Sequence, residues 1–108
     1  MITVNIYYKE KDGNARKFAE EMISSGTVDK IRATEGNIRY DYFFPMKDDD
    51  TVLLIDSWLN QEAIDQHHAS PMMQTIATLR EKYDSRMQVE RYVSDTYAAE
   101  NDLKYVRT

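Results

Sequence analysis

The chain has 108 residues, a length that suits one domain with a single layered core. Its formal charge of -5, with 14 basic residues scattered among 19 acidic ones, gives no clustered positive field and sets a nucleic-acid partner aside. Without cysteine there is no disulfide framework, thiolate zinc site or cysteine nucleophile. The start Met1-Ile2-Thr3-Val4-Asn5 lacks the features of a signal peptide, and no run approaches the roughly 20 apolar residues of a membrane span, so a cytoplasmic location without a membrane partner is expected.

In chain order, residues 2–8 alternate, with Ile2, Val4, Ile6 and Tyr8 on one side and Thr3, Asn5 and Tyr7 on the other; this predicts a strand. From Asn14 the period becomes helical, with Ala15, Phe18, Ala19, Met22 and Ile23 on one stripe. Ser24-Ser25-Gly26 interrupts it, and Val28 and Ile31 resume it, so one bent helix or two short ones should end near Thr34. Residues 37–44 and 51–58 form a predicted hairpin around Pro45-Met46-Lys47-Asp48-Asp49-Asp50. Ile38, Tyr40, Tyr42 and Phe44 are expected on one face, and Asp56 on the face of Trp58. Asn60 is placed to cap a short helix over 61–67. Ser70-Pro71 reads as a second helix start, a capping hydroxyl before a proline, followed by the stripe Met72, Met73, Ile76, Ala77, Leu79 and Tyr83. Met87, Val89, Arg91 and Val93 then alternate as a fourth strand.

The order β-α-β-β-α-β predicts an α+β, ferredoxin-like antiparallel sheet with its helices on one face, over residues 1–94. Both faces of the hairpin carry apolar side chains, so the uncovered face is expected to bury itself against a second copy, giving a sheet-to-sheet homodimer. Residues 95–108 are expected to form a C-terminal tail that packs on the partner.

Gly36-Asn37-Ile38-Arg39-Tyr40, the strand end Asp56-Ser57-Trp58 and His67-His68-Ala69-Ser70-Pro71 resemble the Gly-x-x-x-Tyr, acid-x-Trp and His-x-x-Ser-Pro signatures of the antibiotic biosynthesis monooxygenase (ABM) domain. The resemblance implies a dimeric α+β barrel with a small-molecule pocket between sheet and helices. It also implies a cofactor-independent monooxygenase acting on a quinol or phenol with O₂ and neither metal nor flavin. The alternative within the same fold is a small-metabolite-binding or isomerase-like dimer. Three positions depart from particular members. Leu54 stands where those that tailor aromatic antibiotics carry Asn, Ile76-Ala77-Thr78 where haem-degrading ones carry a ligand His, and Met72 where many quinol-oxidising ones carry His.

Within that frame His67, Asp56 and Trp58 are the candidate catalytic residues, and Asn5, Tyr7, Tyr40 and Met72 the candidate substrate contacts. Trp58 either stacks on a planar substrate or closes the core. His67, with an ordinary pKa near 6.5, either takes a phenolic proton or orients the turn before Ser70. Asp56 needs a partner if buried, to be found among Asn5, Tyr7, Tyr40 and Arg39. Met22, Met72 and Met73 would make a pliable pocket wall or fill the core. Adjacent His67 and His68 diverge by roughly 100° on a helix and Asp48-Asp49-Asp50 form a hairpin tip, so no metal site is expected.

Overall fold

The computed structural model describes residues 1–95 and 103–105; the predicted packing of a tail over 95–108 on a partner falls for the most part outside the described residues. Strand β1 (Ile2–Lys9) leads through a short 3₁₀ turn into helices α1 (Asn14–Ser24) and α2 (Thr27–Arg32). The hairpin β2 (Asn37–Phe43) and β3 (Thr51–Trp58) follows, then α3 (Gln61–His68), α4 (Met72–Tyr83) and β4 (Arg86–Val93). The sheet order β2-β3-β1-β4, with every neighbouring pair antiparallel, is the ferredoxin-like topology expected from the sequence.

The break between α1 and α2 falls at Gly26, whose φ of 79° reverses the chain at little cost, while the Ser25 and Thr27 hydroxyls bond across it at 2.8 Å. Their apolar stripes, Ala15, Phe18, Ala19 and Met22 with Val28 and Ile31, are buried. They meet Tyr8, Val52 and Leu54 on one face of the sheet in a common core, which Lys82 and Tyr83 reinforce by both bonding Glu21 at 2.6 Å. At the hairpin tip Asp48 accepts from the Asp50 amide at 2.9 Å and the Thr51 hydroxyl at 2.6 Å, so its carboxylate serves the turn.

Registry assigns every side chain to a face. Trp58, Asp56, Leu54 and Val52 lie opposite Ile2, Val4, Ile6 and Tyr8, which in turn lie opposite Val93, Arg91, Val89 and Met87; all face the helices. Two expectations about β2 fail. A register shift between Asn37 and Arg39 moves Ile38 off the Tyr40 face, where it is 52% exposed, because a bulge resets the two-residue period. Phe44 falls beyond the end of β2 and instead lies under the Arg16 guanidinium, 4.2 Å from its ring centre.

Gly36, the first residue of the Gly-x-x-x-Tyr motif, has φ 86°, and its carbonyl oxygen accepts from the Leu59 amide at 2.8 Å. A Cβ there would lie 2.5 Å from Ala63 Cβ at the start of α3. Gly36→Ala is therefore expected to cost about 2–4 kcal/mol in urea unfolding, from left-handed strain plus overpacking. Ala63→Gly in the same chain should restore the steric part alone, and an unchanged midpoint for the single variant would count against the contact.

Candidate active site

A cavity of about 340 Å³ lies between helices α3 and α4 and the sheet. Its floor is Val4, Ile6 and Tyr8 of β1, with Met87, Val89 and Arg91 of β4; its roof is Ile64, His67, Met73, Ile76 and Arg80; and Tyr40, Asp56 and Trp58 close its inner end. A larger furrow, about 590 Å³, runs over the sheet margin between Lys9, Glu10, Lys11, Asp50 and Arg86. The furrow is bordered by charges of both signs, whereas the smaller hollow is apolar with a few convergent polar groups, the usual character of a small-molecule site.

Trp58 and His67 stack within it, ring centres 4.7 Å apart at 28°. Tyr40 stands edge-on to the imidazole at 6.3 Å. The local sequence explains how His67 is held. Asn60 caps α3 as expected, its side chain accepting from the Ala63 amide at 2.9 Å, which fixes the phase that turns Ala63, Ile64 and His67 inward. Ser70 behaves differently from its predicted role. Its hydroxyl leaves α4 uncapped and donates to the His67 carbonyl at 2.6 Å, because the chain is still closing the last turn of α3 there. The His-x-x-Ser-Pro motif thus joins the site histidine's main chain to the following turn. His68 points outward and stands at the cavity rim.

Asp56 finds its partner in none of the four residues expected. The Trp58 indole N–H, two residues along the same strand and on the same face, donates to its Oδ1. Arg39 projects to the opposite face and bonds Asp41 at 3.0 Å. Burial pushes the Asp56 carboxyl up to about 7, against the opposing pull of the Trp58 hydrogen bond. Burial, with the neighbouring His68 in support, lowers His67 to about 4, so its imidazole is neutral at ordinary pH and a much weaker base than its type allows; its Nδ1 is buried without a hydrogen-bond partner. Burial also raises Tyr8 to about 12 and Tyr40 well above the usual phenol range, leaving both as neutral hydroxyls.

The structure thus gathers Asp56, Trp58, His67 and Tyr40 and leaves out Asn5, Tyr7 and Met72. Asn5 and Tyr7 hold odd positions of β1, opposite Ile55 and Leu53, and so project from the other face of the sheet. There Asn5 Oδ1 is buried without a partner, and Tyr7 is raised above its ordinary pKa chiefly by the charge of Glu90. Of the two methionines that open α4, Met73 lines the cavity and Met72 packs against the core, because adjacent helical residues diverge by about 100°; Met22 also lies in the core. Sequence reasoning missed Tyr8, Arg80 and Arg91. Arg80 reads as an ordinary basic residue in a last helical turn, whereas Arg91 left a signal, a charge at an inward position of the alternating strand Met87-Val89-Arg91-Val93. Among the described residues no group of three or more acidic or histidine side chains is arranged to hold a metal. None of the helices there is long and apolar enough to cross a membrane.

The candidate monooxygenase YcnE of Bacillus subtilis (strain 168) is 28% identical over 74 residues, covering 68% of this chain and 76% of that protein. A candidate antibiotic biosynthesis monooxygenase from Deinococcus radiodurans has the same fold, with a TM-score of 0.78 at 13% identity over 92% of this chain and 97% of that one. SnoaB, a cofactor-independent oxygenase from Streptomyces nogalater, aligns with a TM-score of 0.73 at 14% identity over 92% and 97% of the two chains. The antibiotic biosynthesis monooxygenase profile matches residues 1–79, the stretch from β1 through Leu79 that carries Tyr8, Tyr40, Asp56, Trp58 and His67. This chain belongs to the antibiotic biosynthesis monooxygenase family.

Proposed function

We propose that the protein is a cofactor-independent monooxygenase of a phenol or quinol, working as a cytoplasmic homodimer whose folded unit is residues 1–94. The observation that carries the reading is a carboxyl raised to about 7 in an apolar cavity, next to a neutral stacked imidazole. A general base works best when its pKa lies near the operating pH, so Asp56 suits removal of a phenolic proton better than His67 does. His67 Nδ1, buried and unpartnered, is left to hydrogen-bond the substrate oxygen, and the Trp58 face gives a planar ring something to lie against. The phenolate passes an electron to O₂, and the two radicals recombine at a ring carbon. Loss of water from the resulting peroxide gives a quinone, with one oxygen atom retained and the other in the water. All the electrons come from the substrate, so no external reductant enters the balance.

The dimer reading rests on the other face of the sheet, where Leu53, Ile55 and Phe43 share a side with Asn5, whose buried Oδ1 has no partner among the described residues. A second reading, a metabolite-binding or isomerase-like dimer without oxygenase activity, draws on Leu54: the position of the tailoring enzymes' Asn is filled here by a side chain buried in the core. O₂ uptake with a panel of naphthols and naphthohydroquinones separates the two. Uptake above the uncatalysed rate that falls at least about tenfold in His67→Ala supports the oxygenase. Ligand-induced thermal stabilisation with background O₂ uptake supports the second reading.

A further inference from the structure

Two guanidiniums line a mostly apolar cavity whose other polar groups are Asp56, His67, His68, Tyr8 and Tyr40, and neither forms an ion pair among the described residues. Arg80, on the last turns of α4, has a buried Nε with no hydrogen-bond partner. It lies close enough to Tyr8 for its charge to oppose the rise in that hydroxyl's pKa. Arg91 makes one hydrogen bond, from Nη2 to Gln61 Oε1 at the start of α3, which fixes it at the cavity mouth. In a chain with 19 acidic residues, half-buried Arg80 without a carboxylate partner among the described residues leaves an unmet demand for negative charge, to which Arg91, exposed at the mouth, adds a second positive group. Arginine's planar fork matches a carboxylate or phosphate group.

Registry gives this demand a direction. Tyr40, Asp56, Val4 and Arg91 form one row across β2, β3, β1 and β4, all on the cavity side. Asp56 and Arg91 are two strand spacings apart, roughly 10 Å along the floor, with Val4 between them. A fused aromatic ring system spans that gap, resting on Val4 and Ile6.

We propose that the site selects an anionic aromatic substrate, with a carboxylate or phosphate substituent drawn to the side of the cavity that Arg80 and Arg91 make positive and the hydroxyl to be deprotonated at the far end of the ring system beside Asp56. The proposal rests on reading this cavity as the substrate site. It explains why the cavity keeps cationic groups that take no part in proton removal.

Calorimetric titration of the full chain under argon with 6-hydroxy-2-naphthoate, 2-naphthyl phosphate and neutral 2-naphthol tests it without turnover. At least one anionic ligand should bind about tenfold or more tightly than 2-naphthol, as expected for charge-assisted bonds. Which anion binds tighter identifies the substituent. Arg80→Met should remove the preference, and Arg80→Lys should recover part of it, a rescue that a merely structural arginine would not show. Equal affinities in the parent, or a preference that survives in both Arg80→Met and Arg91→Gln, overturns the proposal. Binding by none of the three overturns it together with the reading of the cavity. An anion preference without O₂ uptake on any phenol retains the anion site and overturns only the oxygenase.

Discussion

Asp56→Asn is expected to lower O₂ uptake by about 10²–10⁴-fold, the range associated with loss of a general base. The same variant should be more stable than the parent at pH 8. A carboxyl raised from 3.8 to about 7 favours the protonated folded state, so its contribution to stability is fully present below about 4 and lost as pH rises through 7. That loss is of order 4 kcal/mol, and the amide, which never ionises, avoids it while keeping an oxygen for the Trp58 N–H. His67 has the opposite sign. Its pKa is lowered from 6.5 to about 4, so its contribution is present above 6.5 and lost as pH falls through 4. Between about 4 and 6.5 the two slopes oppose each other, and the parent's stability should be nearly flat with respect to these two groups. Urea midpoints measured across pH 4 to 8 check this directly. Asp56→Asn should expose the acid-side loss due to His67, and an Asp56→Asn chain with the parent's pH profile would show that the carboxyl is not raised.

Trp58 carries the second large effect. It heads the fully buried side chains by volume and stacks on His67, so Trp58→Ala is expected to cost about 3–5 kcal/mol and to leave the imidazole without its platform. Trp58→Phe separates packing from electrostatics. The ring remains, but the N–H that stabilises the Asp56 carboxylate is gone, so the Asp56 pKa should rise further and the O₂-uptake profile move to higher pH. An unshifted profile in a folded Trp58→Phe chain would rule out Asp56 as the titrating base.

Sheet order, hairpin and both helical crossovers were legible because Val4, Ile6 and Tyr8 or Phe18 and Met22 repeat with periods that survive folding. Asp56 and Trp58 were placed on one face correctly for the same reason. Reading failed where a single-residue feature resets the period, as the β2 bulge does at Ile38, or where two neighbours compete for one direction, as Met72 and Met73 do. It also failed for Asn5 and Tyr7, which lie on the face away from the cavity; Asn5 drew attention because Asn is depleted in strands. The titration behaviour of Asp56 and His67 was out of reach, since it comes from desolvation by parts of the chain far away in sequence. Arg80 shows the same difficulty: only the closing of α4 over Tyr8 distinguishes it from any other surface arginine.

The helices leave β4 only half roofed, with Met87 and Val89 at 43% and 50% exposure even as they line the cavity. Side chains this open contribute little to stability, so replacements there are cheap, whereas Trp58, Tyr40 and Leu54 deep in the core are not. The shape of the cavity can therefore drift along one margin strand while the end beside Asp56 and Trp58 stays fixed. A lineage could try new ring substituents at positions 87, 89 and 91 without renegotiating its fold.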